Sequence, residues 1–195
     1  MTENASDDIP LADCLPTLWG RGGLKLRWLT ADDTAHLLEI FSDPEVVRYT
    51  SLPVHETEAD IQRLLGDIEQ GFQDGSLFQW GIEHGGRIVG TCTLAEINRA
   101  HKRASLGFIL GRAFWGQRIV SQALPHLVGF AFRELRLHRL EADVDPRNTA
   151  SIRALEKLGF QREGLMRECY FSAGEWQDGI MYGLLASEWG RVRQS

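Results

Sequence analysis

Cysteine is scarce in this chain. Three of its 195 residues are Cys14, Cys92 and Cys169. The odd count and wide spacing fit neither a disulfide framework nor a zinc-ligand pattern, so no metal site is expected. The three read as incidental thiols of a reducing cytoplasm, with a catalytic thiol as the alternative. Long apolar runs are missing as well. The longest apolar-leaning stretch, 124–132, is interrupted by Pro125, His126 and Gly129 and falls far short of the roughly 20 residues of a membrane span. Positive charge is not in excess: the net charge of −6 argues against a general nucleic-acid binder. A basic start followed by an apolar stretch is lacking too. The opening residues are acidic and polar, so no secretory signal is expected. Residues 1–16 read as a loose tail, and 17–195 as one domain. Internal repeats and low-complexity blocks are absent.

What is present is an ordinary globular composition, 43% hydrophobic and 25% charged. A chain of this length buries roughly 70% of its unfolded surface and needs no covalent staple. Leu24, Leu26 and Trp28 alternate with polar neighbours, as in a half-buried strand. Thr30 opens a capping-box-like start with Asp33 in the acidic place. Leu37, Ile40 and Phe41 form a helical stripe, Asp43-Pro44 restarts a short helix, and Thr57 caps another carrying Ile61, Leu64, Leu65, Ile68 and Phe72. Strands follow around Phe78, Trp80 and Ile82, then over 88–94 and 104–110, with His84-Gly85-Gly86 as a hairpin turn. Leu124, Leu127, Val128, Ala131 and Leu135 lie on one helix face. Pro125 inside that helix removes a backbone bond and predicts a kink. Leu140, Ala142 and Val144 return to strand period, and Asn148 caps a helix that Gly159 ends. Two last strands are expected near 169–172 and 180–185, joined by a loop. This order predicts a single α/β layer fold with a mixed sheet.

The chemistry concentrates between Leu106 and Phe160. A strand at 106–110 feeds a turn, Gly111 to Ser121, at the start of a long helix. Such a helix start presents unpaired N–H groups and a positive dipole end, which suits phosphate. Arg112, Gln117 and Arg118 add donors. Taken alone, the turn reads equally well as an ordinary loop before a helix, Asn148 as a simple helix cap, and Gly159 as an ordinary helix end.

In their order and spacing these segments resemble the GNAT acetyltransferases, and more narrowly the RimJ/RimL-like branch that acetylates ribosomal-protein N-termini. The resemblance runs from Leu24 to Trp189. It rests on Leu26-Arg27-Trp28-Leu29-Thr30-Ala31-Asp32-Asp33, on the segment Phe41 to Tyr49, on Phe114-Trp115-Gly116, on Leu137 to Ala142, on Asp145 to Phe160, and on Trp176-Gln177-Asp178 with Glu188-Trp189. It implies a GNAT-like α/β domain with a mixed, mostly antiparallel sheet, a splayed central strand pair and helices on both faces. It also implies acetyl-CoA as co-substrate and an amine as acceptor, with a homodimer left open and no nucleic-acid or membrane partner. The pantetheine arm would pair with the strand holding Phe108, Ile109 and Leu110. The pyrophosphate would lie on Trp115, Gly116, Gln117, Arg118, Ile119, Val120 and Ser121. Asn148 and Ser151 would stand at the thiol end.

The loop departs from the family pattern. Arg118 stands where a second glycine is usual, Gln117 where a base is usual, and Val120 where a small residue is usual. If that position needs positive φ, Arg118 costs about 1–2 kcal/mol; its guanidinium can instead supply charge directly. Asp143 matches the carboxylate that relatives place five residues before the cap Asn. Glu141, on the same strand side, and Glu96, at the end of a neighbouring strand, are the rivals, and a solvated or salt-bridged strand face with Arg139 is the alternative for Glu141 and Asp143. The family's frequent Glu in the cofactor strand is Ser105 here. The Tyr that many relatives use on the leaving thiolate is Leu155, which leaves Ser151 as the nearest hydroxyl. Trp80 and Phe171, with Phe78 and Trp176, read either as acceptor walls or as core. Asp178 reads either as an ammonium holder or as a turn residue. The expected activity is acetyl transfer to a protein or peptide N-terminal α-amine. The alternatives are a small amine (antibiotic, polyamine or amino acid) and a degenerate domain with weak or lost CoA binding.

Overall fold

A computed structural model describes residues 14–172 and 174–192. Their elements, in chain order, are β1 (Leu18–Trp19), β2 (Lys25–Arg27), a 3-10 turn (Ala31–Asp33), α1 (Thr34–Phe41), α2 (Pro44–Val47), α3 (Glu58–Asp74), β3 (Leu77–His84), β4 (Arg87–Asn98) and β5 (Arg103–Leu110). After a second 3-10 turn (Arg112–Phe114) come α4 (Ile119–Arg133), β6 (Arg139–Val144), α5 (Thr149–Lys157), β7 (Gln161–Ser172), β8 (Glu175–Leu185) and α6 (Ala186–Val192).

Local chemistry sets most boundaries. Thr57 caps α3 through a reciprocal box with Asp60, and Gly75 ends that helix in the left-handed region at φ 74°. Gly85 and Gly86, at φ 61° and 82°, make the two-residue hairpin between β3 and β4. The Asn148 side chain accepts from the Ser151 N–H at 3.1 Å and starts α5. Pro125 sits inside α4, and the helix nevertheless continues to Arg133.

Among the described residues the strands form one sheet in the order β1-β2-β3-β4-β5-β6-β8-β7. Every neighbouring pair is antiparallel except β5–β6. Two cores flank the sheet. Under α4 and α5 lie Leu26, Phe78, Trp80, Leu94, Leu106, Leu127, Leu140, Ala142 and Leu155. Under α1 and α3 lie Leu29, Leu37, Phe41, Ile61, Ile68 and Ile88. No helix among the described residues is long and apolar enough to cross a membrane.

The parallel β5–β6 ladder holds three pairs, Arg103 with Arg139, Ala104 with Leu140 and Ser105 with Glu141. Beyond Ser105 the strands part. The inner edges of β5 and β6 are then left without a strand partner in the centre of the sheet.

Three expectations need correction. The last strands are longer than the sequence indicated and form a continuous hairpin over 161–172 and 175–185, because register shifts at 162–164 and 166–170 break the two-residue period. Phe78 and Trp80 are wholly buried, and the Trp80 indole donates to the Pro16 carbonyl at 2.9 Å. They are core residues, so Trp80 does not wall an acceptor site. The expected tail falls mostly outside the described residues, but Leu15 is buried in the core, which ties residues 15 and 16 to the domain.

Candidate active site

The parting of β5 and β6 opens a cavity of about 550 Å³. Strand alternation assigns its walls. Leu106, Phe108, Ala142 and Val144 point to the α4–α5 face, where Asn148, Ser151 and Leu155 also line the cavity. Gly107, Ile109, Asp143 and Asp145 point to the other face. There the wall continues through Gln79, Thr91 and Thr93, then Tyr49, Thr50, Ser51 and Leu52 from the α2–α3 connection, and Tyr170, Phe171, Gln177 and Asp178 from the last hairpin.

Of the carboxylates singled out in the sequence, Asp143 lines this cavity. It stands near the Tyr170 phenol; burial and the neighbouring Asp143 carboxylate push the phenol well above its ordinary range and keep it protonated. Glu141 does not reach the cavity. It lies where β5 and β6 still pair, held by Arg103 at 3.0 Å and Arg139 at 2.8 Å. Glu96 sits at a bulge of β4 with φ 50° and accepts from the Ser105 hydroxyl at 2.6 Å; it stands beside the Tyr170 neighbourhood and outside the cavity lining. Asp145 is buried at the rim. Burial raises its pKa, but the Arg147 guanidinium outweighs that and holds its carboxyl below the ordinary range. Arg147 also stacks over the Tyr49 ring, 5.8 Å from its centre, so the α2–α3 connection is pinned beside β6.

Phe171 lines the cavity mouth and packs on Trp176 with ring centres 5.2 Å apart. Asp178 lines it too, while one carboxylate oxygen accepts from the Glu168 N–H at 2.8 Å. The turn-stabilising contact is thus present, and the carboxylate also borders the cavity. Cys92 is buried, and burial pushes its thiol far up, which removes it as a nucleophile. Among the described residues no cluster of three or more metal-binding side chains forms.

The turn ahead of α4 leaves a run of backbone donors unpaired. Gly116 and Arg118 both adopt positive φ, 75° and 61°, so Arg118 does take the conformation usually left to glycine. Arg118 is the N-terminal boundary residue of α4, and no side chain caps the helix. Among the described residues the N–H groups of Gly116, Gln117, Arg118, Ile119, Val120 and Ser121 find no protein acceptor, and the exposed Arg118 guanidinium has no partner. The other side chains are turned to the fold. The Gln117 amide donates to the Ala113 carbonyl, the Ser121 hydroxyl to the Arg118 carbonyl, and the Trp115 indole to the Leu110 carbonyl. Ile119 is buried, and Val120 packs on the core instead of crowding the turn. Leu110 lies outside the cavity lining, and its carbonyl is taken. Arg112 is paired with Asp43 at 2.8 Å.

Tyr170, Gln79, Thr91, Thr93, Tyr49 and Asp67 are among the polar wall residues to which the sequence assigned no role. Gln79 follows from the two-residue period once Phe78 and Trp80 are placed in the core. Tyr170 carries no such signal, because the bulge beside it breaks the period.

Residues 23–161 match the acetyltransferase (GNAT) domain family. The chain is 34% identical over 169 residues to the N-acetyltransferase p20 of Bacillus licheniformis, covering 85% of this chain and 94% of that relative. It is 27% identical over 165 residues to the [ribosomal protein uS5]-alanine N-acetyltransferase of Escherichia coli, covering 83% and 84%. It is 27% identical over 157 residues to the spermidine N(1)-acetyltransferase of the same organism, covering 80% and 83%. Among solved structures, Mycobacterium smegmatis RimJ in complex with CoA-disulfide superposes with a TM-score of 0.80 at 25% identity, covering 89% of this chain and 87% of that one.

Proposed function

The chain belongs to the GNAT acetyltransferases, N-transferring enzymes with acetyl-CoA as co-substrate, and on that premise we propose that its acceptor is the N-terminal α-amine of a protein or peptide. Relatives named for a ribosomal protein and for spermidine are equally similar, so the choice between them rests on the cavity. Among its lining residues there is no histidine, glutamate, lysine or cysteine. An amine must shed its proton before it attacks. At pH 7 this costs an α-amine about 1 kcal/mol and a lysine-like amine about 4.6 kcal/mol. A wall whose titratable groups are aspartates and tyrosines suits the acceptor that needs less help. This is the observation that carries the reading.

The co-substrate has a matching path. The diphosphate lies on the bare N–H groups of 116–121 with Arg118 beside it. The pantetheine amides pair with the free edge of β5 at Phe108 and Ile109, as an added strand would. The thioester then reaches the gap between Gly107 and Asn148. The amine enters from the Asp143 face. Its lone pair attacks the carbonyl carbon, the C–N bond forms and the C–S bond breaks. The proton leaves nitrogen toward Asp143, and the departing sulfur takes one from Ser151 or from water on the α5 face. Holding the two reactants in line across the gap supplies much of the rate.

The test is thiol release from acetyl-CoA with peptides bearing a free α-amine, with Nα-acetyl-lysine and with spermidine. At pH 7 the peptides are expected to exceed the other amines in kcat/KM by about 400-fold, the difference in neutral amine. A higher kcat/KM for spermidine or the lysine side chain overturns the α-amine reading.

A further inference from the structure

We propose that Gln79, flanked by Thr91 and Thr93, forms the subsite that reads the first peptide group of the acceptor. The inference rests on the α-amine reading and deepens it.

Gln79 is 8% exposed and Thr91 is 2% exposed. Both line the cavity, and neither side chain has a hydrogen-bond partner among the described residues. Buried polar side chains are almost always paired. A buried carboxamide and hydroxyl that open on a cavity without partners mark the place of a ligand's polar group.

Register fixes where that group lies. Gln79 pairs with Thr93 across β3 and β4, and Thr93 pairs with Gly107 across β4 and β5. The three residues form a row that ends at the gap. Adjacent strands lie about 4.8 Å apart, so the Gln79 backbone stands about 10 Å from that of Gly107, and the side chain covers part of the span. Thr91 is the diagonal neighbour on the same face. Gly107 leaves the row unobstructed, because a Cβ built there meets nothing within 4 Å. An α-amine held between Gly107 and Asp143 has its first peptide group a few ångströms away along the chain, within reach of Gln79.

The chemistry of the row itself matches a peptide group, while the charge of this cavity lies elsewhere, on Asp67, Asp143, Asp145 and Asp178. A carboxamide offers one acceptor and two donors, which complement a peptide N–H and C=O. The stretch Gln79, Thr91, Thr93, Thr50 and Ser51 carries no charge, so an alkyl ammonium chain lying along it would leave these polar groups unpaired. Sites built to hydrogen-bond a substrate reject analogues that lack the bonding group.

The experiment compares two acceptors, a short peptide with a free α-amine and a primary alkyl amine of similar size without any amide. In Gln79→Leu and Thr91→Val the ratio of kcat/KM for peptide over alkyl amine is expected to fall about tenfold, mainly through KM for the peptide. A second measurement alters the acceptor. A peptide whose first amide N–H is replaced by an ester oxygen is expected to lose a similar factor in the wild type and little more in Gln79→Leu. An unchanged ratio in a folded Gln79→Leu variant, or an ester acceptor as good as the amide in the wild type, overturns the subsite and leaves the α-amine reading standing. A wild type that acetylates spermidine but no peptide overturns both.

Discussion

Tyr170 of β7 and Asp143 of β6 stand close together across β8 and line the same cavity. The two strands are not neighbours, so the pair spans three strands at the mouth of the gap. A phenol kept protonated is a donor beside the carboxylate, so the proposed role of Asp143 as proton acceptor would draw on Tyr170 as well.

That pairing makes the two side chains a unit. Asp143→Asn is expected to lower kcat about 100-fold, as for the loss of a proton acceptor, and Tyr170→Phe about tenfold, the scale of one hydrogen bond to a charged group. The double variant should lose no more than Asp143→Asn alone. Steady-state thiol release with a peptide acceptor measures all three. Losses that multiply would show two independent roles.

Arg118 separates backbone from side chain. Its φ of 61° carries strain of about 1–2 kcal/mol for a non-glycine residue. Arg118→Gly removes the strain, and Arg118→Ala keeps most of it. Arg118→Gly is therefore expected to melt a few degrees above Arg118→Ala. Both variants lose the guanidinium and should raise KM for acetyl-CoA about tenfold. An unchanged KM in both would show that the bare N–H groups suffice.

Gly107 offers a clean block. Open space surrounds the missing Cβ, so Gly107→Val should fold and melt near the wild type. Its new methyls would stand in the amine's path between Thr93 and Asp143. Activity on every acceptor should fall by two orders of magnitude or so, while calorimetry still detects acetyl-CoA binding. Equal loss of cofactor binding would place the thioester on that face instead.

Acid sensitivity follows from a cluster remote from the gap. Asp33 and Glu83 both bind Arg27, at 2.7 and 2.5 Å. Burial raises each carboxyl, but hydrogen bonds and charge from Arg27 (with Thr30 for Asp33 and Lys25 for Glu83) outweigh it and hold both below the ordinary range. Their folded pKa values lie below the unfolded ones near 4, so the stability they confer is complete above that value and is lost as pH falls through the folded values. Thermal stability should be level from about pH 7 to 5 and drop below about pH 4. Asp33→Asn should lose about 3 kcal/mol at pH 7 and show a shallower acid drop. Melts across that range check both.

The fold was readable because its signals are local. Thr57 with Asp60, Asn148, Gly159 and the Gly85-Gly86 hairpin fix where elements begin and end, and the motif order supplies the rest. The site was readable where backbone does the work, as at Arg118, whose left-handed conformation follows from its place in a glycine-patterned loop. It was less readable where two side chains share a face. Glu141 and Asp143 look alike on β6, and only the register of Ser105 with Glu141, and the arginines that come with it, separates them. Trp80 attracted attention as an aromatic, yet β3 is buried on both faces, and the working neighbour was Gln79. Tyr170 was hidden by the bulge that aims it.

The narrow β5–β6 seam has a mechanical meaning. Three residue pairs, with the His138 and Arg139 N–H groups on the Lys102 carbonyl beside them, join the two halves of the sheet. A pantetheine chain bonded along the vacant edge, as proposed, would act as a removable strand, a splint across a fracture. Occupancy should then tighten the molecule as a whole. Amides of residues 106–110 that face the cleft should exchange with deuterium faster than those of 103–105 in the free enzyme, and the contrast should fade when acetyl-CoA is bound.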